Sequence, residues 1–206
     1  QAPAEAPAAG PALAFDHVQF SYAPGTPILR DATFAFERGK TYALVGPTGG
    51  GKTTTALLMA RLYDPQGGRV LLDGRDIRSF TPAERAARIG FILQEPFLFS
   101  GTVRDNVIYG NDALAGLSDK DLAARLGARH LDTLLERFEQ GLATPVTSAG
   151  EGISLGQKQI VAFMRAVLRE PDLLILDEAT ANIDTVTETL LGEILAGNTS
   201  DAGRRR

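Results

Sequence analysis

The sequence has no cysteine among its 206 residues, which excludes a disulfide framework and any cysteine-based zinc site. Its two histidines, His17 and His130, are far apart in the chain, so a histidine-based metal site is not expected either. No apolar run approaches the roughly 18 residues of a membrane-spanning helix, and no signal peptide is visible. An excess of positive charge is missing too. With 25 acidic against 21 basic residues the net charge is −4, which argues against a general nucleic-acid binder. The three terminal arginines, Arg204 to Arg206, read as a tail. What remains is a chain that is 44% hydrophobic, enough for one domain with or without a subdomain. As given it reads as soluble and intracellular, and the lack of a span leaves room for a membrane partner.

The pattern along the chain alternates strands with helices. Residues 1–12, rich in Ala and Pro, read as a linker. Strands are expected in AFDHVQFSY, with Phe15, Val18, Phe20 and Tyr22, and in ATFAFERG. A short apolar strand, TYALVG, then runs into a glycine-rich loop and a helix ending before Pro65. GRVLLDG predicts a strand turning at Asp73-Gly74, and TPAERAARI a helix capped by Thr81, with Pro82 at its first position and Glu84 at its third. IGFILQEP predicts a buried strand. From about 97 to 168 the pattern turns helical, with one long helix expected from Ser118 to Phe138 and another in SLGQKQIVAFMRAVL, where Ser154 and Gln157 form a capping box. DLLILDEA has the solid apolar character of a central parallel strand. A last helix, roughly DTVTETLLGEIL, leads into a polar tail. The expected class is α/β, with a parallel-sheet core, an N-terminal antiparallel β layer and an α-helical subdomain.

GPTGGGKT fits G-x-x-x-x-G-K-[ST] at Gly46, Gly51, Lys52 and Thr53. Glycines let backbone N–H groups wrap a phosphate chain, and the following helix presents its positive end. The loop residues Gly46, Pro47, Thr48, Gly49, Gly50 and Gly51, with Lys52, Thr53 and Thr54, are the expected nucleotide-contacting set. Lys52 reaches the outer phosphates, and the Thr53 hydroxyl is a Mg²⁺ ligand. A glycine-rich turn could match this pattern by accident, but here an apolar stretch precedes it and a helical pattern follows. Asp177, closing LLILDEA, can hold Mg²⁺ through water. Glu178 beside it can polarise an attacking water as general base. Acids often end apolar strands, so this pair gains its meaning from the P-loop.

At these motifs the chain resembles the nucleotide-binding domain of ATP-binding cassette (ABC) transporters, over about residues 13–195. The resemblance implies a P-loop NTPase (RecA-like) domain over 13–206, with core segments 13–94 and 169–206 and a helical subdomain at 95–168. The P-loop is similar to Walker A and LLILDEA to Walker B. Gln94 in FILQEP matches the Q-loop glutamine, which senses Mg²⁺. Asp184 in ANID matches the D-loop, and Tyr22 matches the aromatic that stacks on adenine. ISLGQ resembles the signature, usually L-S-G-G-Q, whose Ser154, Gly156 and Gln157 would cap the γ-phosphate held by a partner domain's Walker A. The segment 95–110, EPFLFSGTVRDNVIYG, resembles the exporter stretch that meets the membrane domain's coupling helices, and TSAGEG, with Glu151, resembles the exporter x-loop. The implied function is an ATP-hydrolysing motor domain using ATP and Mg²⁺, with Glu178, Gln94 and Lys52 catalytic. Its implied partners are a second nucleotide-binding domain and a transmembrane domain at the cytoplasmic face of the cell membrane, with no nucleic acid. A regulatory module that binds nucleotide without turnover, or a soluble ABC ATPase, are the alternatives.

Two departures qualify this. Leu155 stands where the signature normally has Gly. A homodimer tolerating Leu and a heterodimer with two unequal sites are both open, the heterodimer being favoured. The family also continues past the last helix into a strand ending in a switch histidine, whereas here the sequence runs LAGNTSDAGRRR and neither His17 nor His130 can serve. The expectation is a fragment that binds ATP, hydrolyses it little, and exposes a sheet edge.

Overall fold

The computed structural model describes residues 10–147, 152–177 and 185–204, with side chains of the last helix through Leu195. The chain divides between Ala86 and Ala87 into two compact units.

The first unit is built on a four-stranded antiparallel sheet, ordered β2-β1-β3-β4. It joins β1 (Leu13–Ser21), β2 (Pro27–Phe36), β3 (Gly67–Leu72) and β4 (Arg75–Asp76). Alternation along β1 puts Leu13, Phe15, Val18 and Phe20 on the buried side. The alternation slips by one residue at Asp16 and His17, where both neighbouring ladders shift register and His17 takes a φ of 52°. Such a slip is a β-bulge. Gly68 lies against it, with a φ of 72°, and a Cβ there would stand 2.2 Å from the His17 carbonyl oxygen. The expected turn at Asp73-Gly74 joins β3 to β4, with φ values of 53° and 75°, the signature of a two-residue hairpin. Helix α1 (Lys52–Met59) buries Leu58 and Met59.

The TYALVG strand is not present. Residues 41–47 join none of the sheets among the described residues, and Val45 is 88% exposed. A strand exists through its ladder, and apolar composition alone cannot supply the partner. Tyr42 instead packs its ring on Phe36 at 4.9 Å, and its hydroxyl accepts from the Glu37 N–H.

Thr81 and Glu84 close the capping box expected at the start of α2 (Pro82–Arg88).

In the second unit β5 (Ile89–Ile92) and β8 (Leu173–Leu176) pair in parallel, Ile92 opposite Leu176. Among the described residues β8 has a ladder on one side only, and Leu176 is 40% exposed, so the expected central strand is here an edge. The helical region contains α3 (Val103–Ile108), α4 (Asp112–Ala115), α5 (Asp119–Gly127) and α6 (Leu155–Val167). A short antiparallel pair of β6 (Gly101–Thr102) and β7 (Pro145–Val146), distant in the chain and not foreseen in the sequence, closes beside them. The single helix expected over 118–138 is broken. Its first part is α5, capped by Ser118 as anticipated. His130 then turns left-handed at φ 57°, and Asp132–Arg137 forms a 3₁₀ segment. The break still lets Leu122, Leu126, Leu131 and Leu134 reach one core with Ile160, Met164, Val167 and Leu168 of the α6 region. Helix α7 (Thr185–Arg204) continues through residues expected as a polar tail. No helix among the described residues is long and apolar enough to cross a membrane.

Candidate nucleotide-binding site

In the first unit the glycine-rich loop turns through positive φ at Gly46 (154°), Gly49 (79°) and Gly51 (84°). Gly51 is the N-cap of α1, and a Cβ there would sit 3.2 Å from Leu29 Cδ2 in a backbone conformation that side chains rarely adopt. No side chain caps this helix, and its first turn holds no acid. Its opening N–H groups and the positive end of its dipole are therefore offered outward, as anion binding requires. The Gly50 N–H bonds the Pro47 carbonyl at 3.0 Å and closes the loop on itself. Lys52 bends back over the rim, donating from Nζ to the carbonyls of Gly46 (2.9 Å) and Pro47 (3.0 Å), which leaves one of its three protons for a further acceptor. Thr53 is exposed at the first turn, and Thr54 is buried.

Tyr22 belongs to the same unit. Its hydroxyl lies 3.2 Å from Thr54 Oγ1, and its ring meets Phe20 and Tyr63 edge to face at 4.9 and 5.3 Å. It is 52% exposed, so it is not an aromatic of the strand's core. Sequence and fold thus bring Tyr22 and the loop–helix start together.

In the second unit Gln94 follows β5 and Asp177 follows β8, so both leave the carboxyl ends of a parallel pair, where ligands of open α/β sheets bind. The Asp177 N–H donates to the Ile92 carbonyl at 3.1 Å, extending the ladder past the strand. Glu178, Asp184 and Glu151 lie outside the described residues.

The start of α6 is built as the sequence implies. Ser154 Oγ accepts from the Gln157 N–H at 3.1 Å, and Gln157 Oε1 accepts from the Ser154 N–H at 2.7 Å. The Gln157 amide also donates to the Arg137 carbonyl at 2.7 Å, so this side chain holds the helix start in place. Gly152 precedes it, exposed, with a φ of 93°.

Sequence reasoning missed what lies further along α6. Gln159, 1% exposed, donates from Nε2 to the Gln94 carbonyl at 3.0 Å. Arg165 donates to carbonyls of the 97–106 segment. The available signal was a Gln and an Arg set among apolar residues in QIVAFMRAVL.

The ABC transporter family model matches residues 29–181, which contain the loop, Gln94, the α6 cap and Asp177. The chain is 46% identical over 185 residues to an uncharacterized ABC transporter ATP-binding protein, YfiC, of Bacillus subtilis, covering 89% of this chain and 30% of that protein. It is 42% identical over 177 residues to a fatty acid ABC transporter ATP-binding/permease protein of Mycobacterium bovis, covering 86% of this chain and 28% of the relative. A solved structure of a bacterial Atm1-family ABC exporter with ATP bound aligns with a TM-score of 0.80 at 36% identity, over 92% of this chain and 32% of the exporter's. The chain thus spans about three tenths of the length of the curated relatives it matches. Family, fold and motif order agree: this chain belongs to the ABC transporter family, as an exporter-type ATP-binding domain of the P-loop NTPase fold, in a family whose domains are ATPases.

Proposed function

We propose that this chain binds and hydrolyses Mg·ATP as the motor domain of an exporter. The observation that carries this reading is the uncapped start of α1 under a loop that takes positive φ at Gly46, Gly49 and Gly51, with Lys52 at its rim and Tyr22 on the same unit. The loop N–H groups hold the phosphate chain, Lys52 exchanges its carbonyl partners for the outer phosphates, and the exposed Tyr22 ring takes the adenine. Mg²⁺ neutralises charge on the terminal phosphates when bound. Thr53, Asp177 and Gln94 are oxygen donors of the kind this ion prefers, and they are the residues assigned to it. Glu178 accepts the proton of the attacking water.

Two such domains pair head to tail, with Ser154 and Gly156 of one facing the phosphates of the other. Residues 95–110 meet a transmembrane partner at the cytoplasmic face of the cell membrane. Both parts rest on the exporter likeness and on the construction of α6. Residues 13–206 form the domain, 1–12 its linker and 95–168 its helical subdomain. The pair is a homodimer or a heterodimer, and Leu155 favours the latter, because a side chain beside the phosphate weakens one site.

The test is ATP binding and turnover in the intact transporter containing this chain. Lys52→Met is expected to lose binding, and Glu178→Gln to retain binding and lose turnover. Normal turnover in Glu178→Gln would overturn the assignment of the base. Raised turnover in Leu155→Gly would support unequal sites, and unchanged turnover would count against them.

A further inference from the structure

Arg165 lies on α6 eleven residues past the Ser154 cap, about 16 Å along the helix. It is half-buried, and among the described residues every hydrogen-bond partner of its guanidinium is neutral. Nε donates to the Asn106 carbonyl (2.7 Å), Nη2 to Asn106 Oδ1 (3.1 Å) and Nη1 to the Phe97 carbonyl (3.2 Å). Burial, with Arg169 nearby, holds its pKa below the usual arginine value. A cation withdrawn from water without a carboxylate is a poor device for stability. It is a good device for geometry, because a planar guanidinium fixes its acceptors relative to one another.

Asn106 completes the arrangement. It is fully buried. Its Nδ2 donates to the carbonyls of Phe99 (2.8 Å) and Thr102 (3.0 Å), and its Oδ1 accepts from the Phe99 N–H (2.8 Å). The backbone from 97 to 102 is therefore tied to Asn106, and Asn106 to α6. On the outside of this knot stand the rings of Phe97, 67% exposed, Phe99 and Tyr109. Phe97 meets Phe99 edge to face at 5.0 Å, Phe99 lies tilted on Tyr109 at 4.1 Å, and the Arg165 guanidinium lies 5.8 Å from the Tyr109 ring. Gln159 ties the same helix to the Gln94 carbonyl.

We propose that Arg165 and Asn106 are positioning residues that make the 97–109 segment and the signature helix α6 move as one body, so that displacement of either reaches the other without slack. This rests on the reading that α6 faces a partner's ATP and that 95–110 meet a membrane partner. It adds the device that joins them.

The test uses the intact transporter in lipid vesicles, with Mg·ATP as probe and amide exchange read separately in peptides covering 97–109 and 154–167. In the wild type, ATP is expected to slow exchange in both. In Arg165→Met, ATP affinity and the response of 154–160 are expected to persist, while the response of 97–102 shrinks by at least about threefold. Arg165→Lys keeps charge and bulk, and serves should the Met variant fold poorly. It is expected to behave as Met does, since an ammonium cannot span the three acceptors. Wild-type responses in both segments of both variants, or a parallel loss in the two segments, would overturn the proposal. No ATP response anywhere in the wild type would instead sink the functional reading, and the proposal with it.

Discussion

Helix α1 begins at Gly51 with no side chain over its first turn, whereas α6 begins at Ser154 inside a closed capping box. Both are helix N-termini, and both carry the same partial positive charge. They differ in what is already satisfied. At α1 no side-chain cap is formed among the described residues, and glycines precede the helix. At α6 the box consumes the N–H groups of Ser154 and Gln157, leaving those of Leu155 and Gly156 outside it. The first start leaves its helix end to a partner from outside the helix, and the second is self-supporting and has a narrower face to offer.

This contrast can be broken most forcefully at α1. Lys52→Met is expected to raise the Kd for a fluorescent ATP analogue by about two orders of magnitude, roughly 2.7 kcal/mol. A change under about threefold would mean the loop is not the phosphate site. Gly51→Ala comes next. Strain from the left-handed backbone costs about 1–2 kcal/mol, and the contact with Leu29 adds to it, so both thermal midpoint and ATP affinity should fall. Ser154→Ala sharpens the other side. Loss of the cap should cost about 1 kcal/mol of stability by denaturant unfolding, with ATP affinity of the separate chain unchanged. A large loss of affinity would show that the two helix starts do not divide the work as argued.

The smallest effect belongs to a control whose residues are part of neither start. His17 Nδ1 sits 2.7 Å from Asp31 Oδ1, and this bond raises the His17 pKa. The raised value means a contribution fully present below the unfolded pKa of about 6.5 and lost as pH climbs through the folded one. Asp31→Asn should therefore lower the thermal midpoint slightly at pH 6 and leave it unchanged at pH 9, with no effect on ATP binding at either.

The sequence exposed those parts of the molecule that are local. The caps at Thr81, Ser118 and Ser154 and the turn at Asp73-Gly74 all act within four residues or so, and each stands where it was read. Non-local features were hidden. TYALVG is apolar enough for a strand, but a ladder needs a neighbour that composition cannot name. The helix from Ser118 kept its apolar period across His130, because period records which side chains face the core and is silent about whether the backbone between them is continuous. Arg165 and Asn106 meet across 59 residues, and only Arg165, a polar group among apolar residues, left a hint.

The bulge at His17 has a further consequence. Upstream of it the odd-numbered residues of β1 point inward, and downstream the even-numbered ones do. Tyr22 follows the second phase, two residues past Phe20, and so comes to Thr54. Removing one residue at position 17 would leave the strand's composition almost intact while turning Tyr22 to the opposite face. The aim of the Tyr22 ring is thus set by a single extra residue five positions earlier, making this surface histidine a spacer whose presence counts for more than its chemistry.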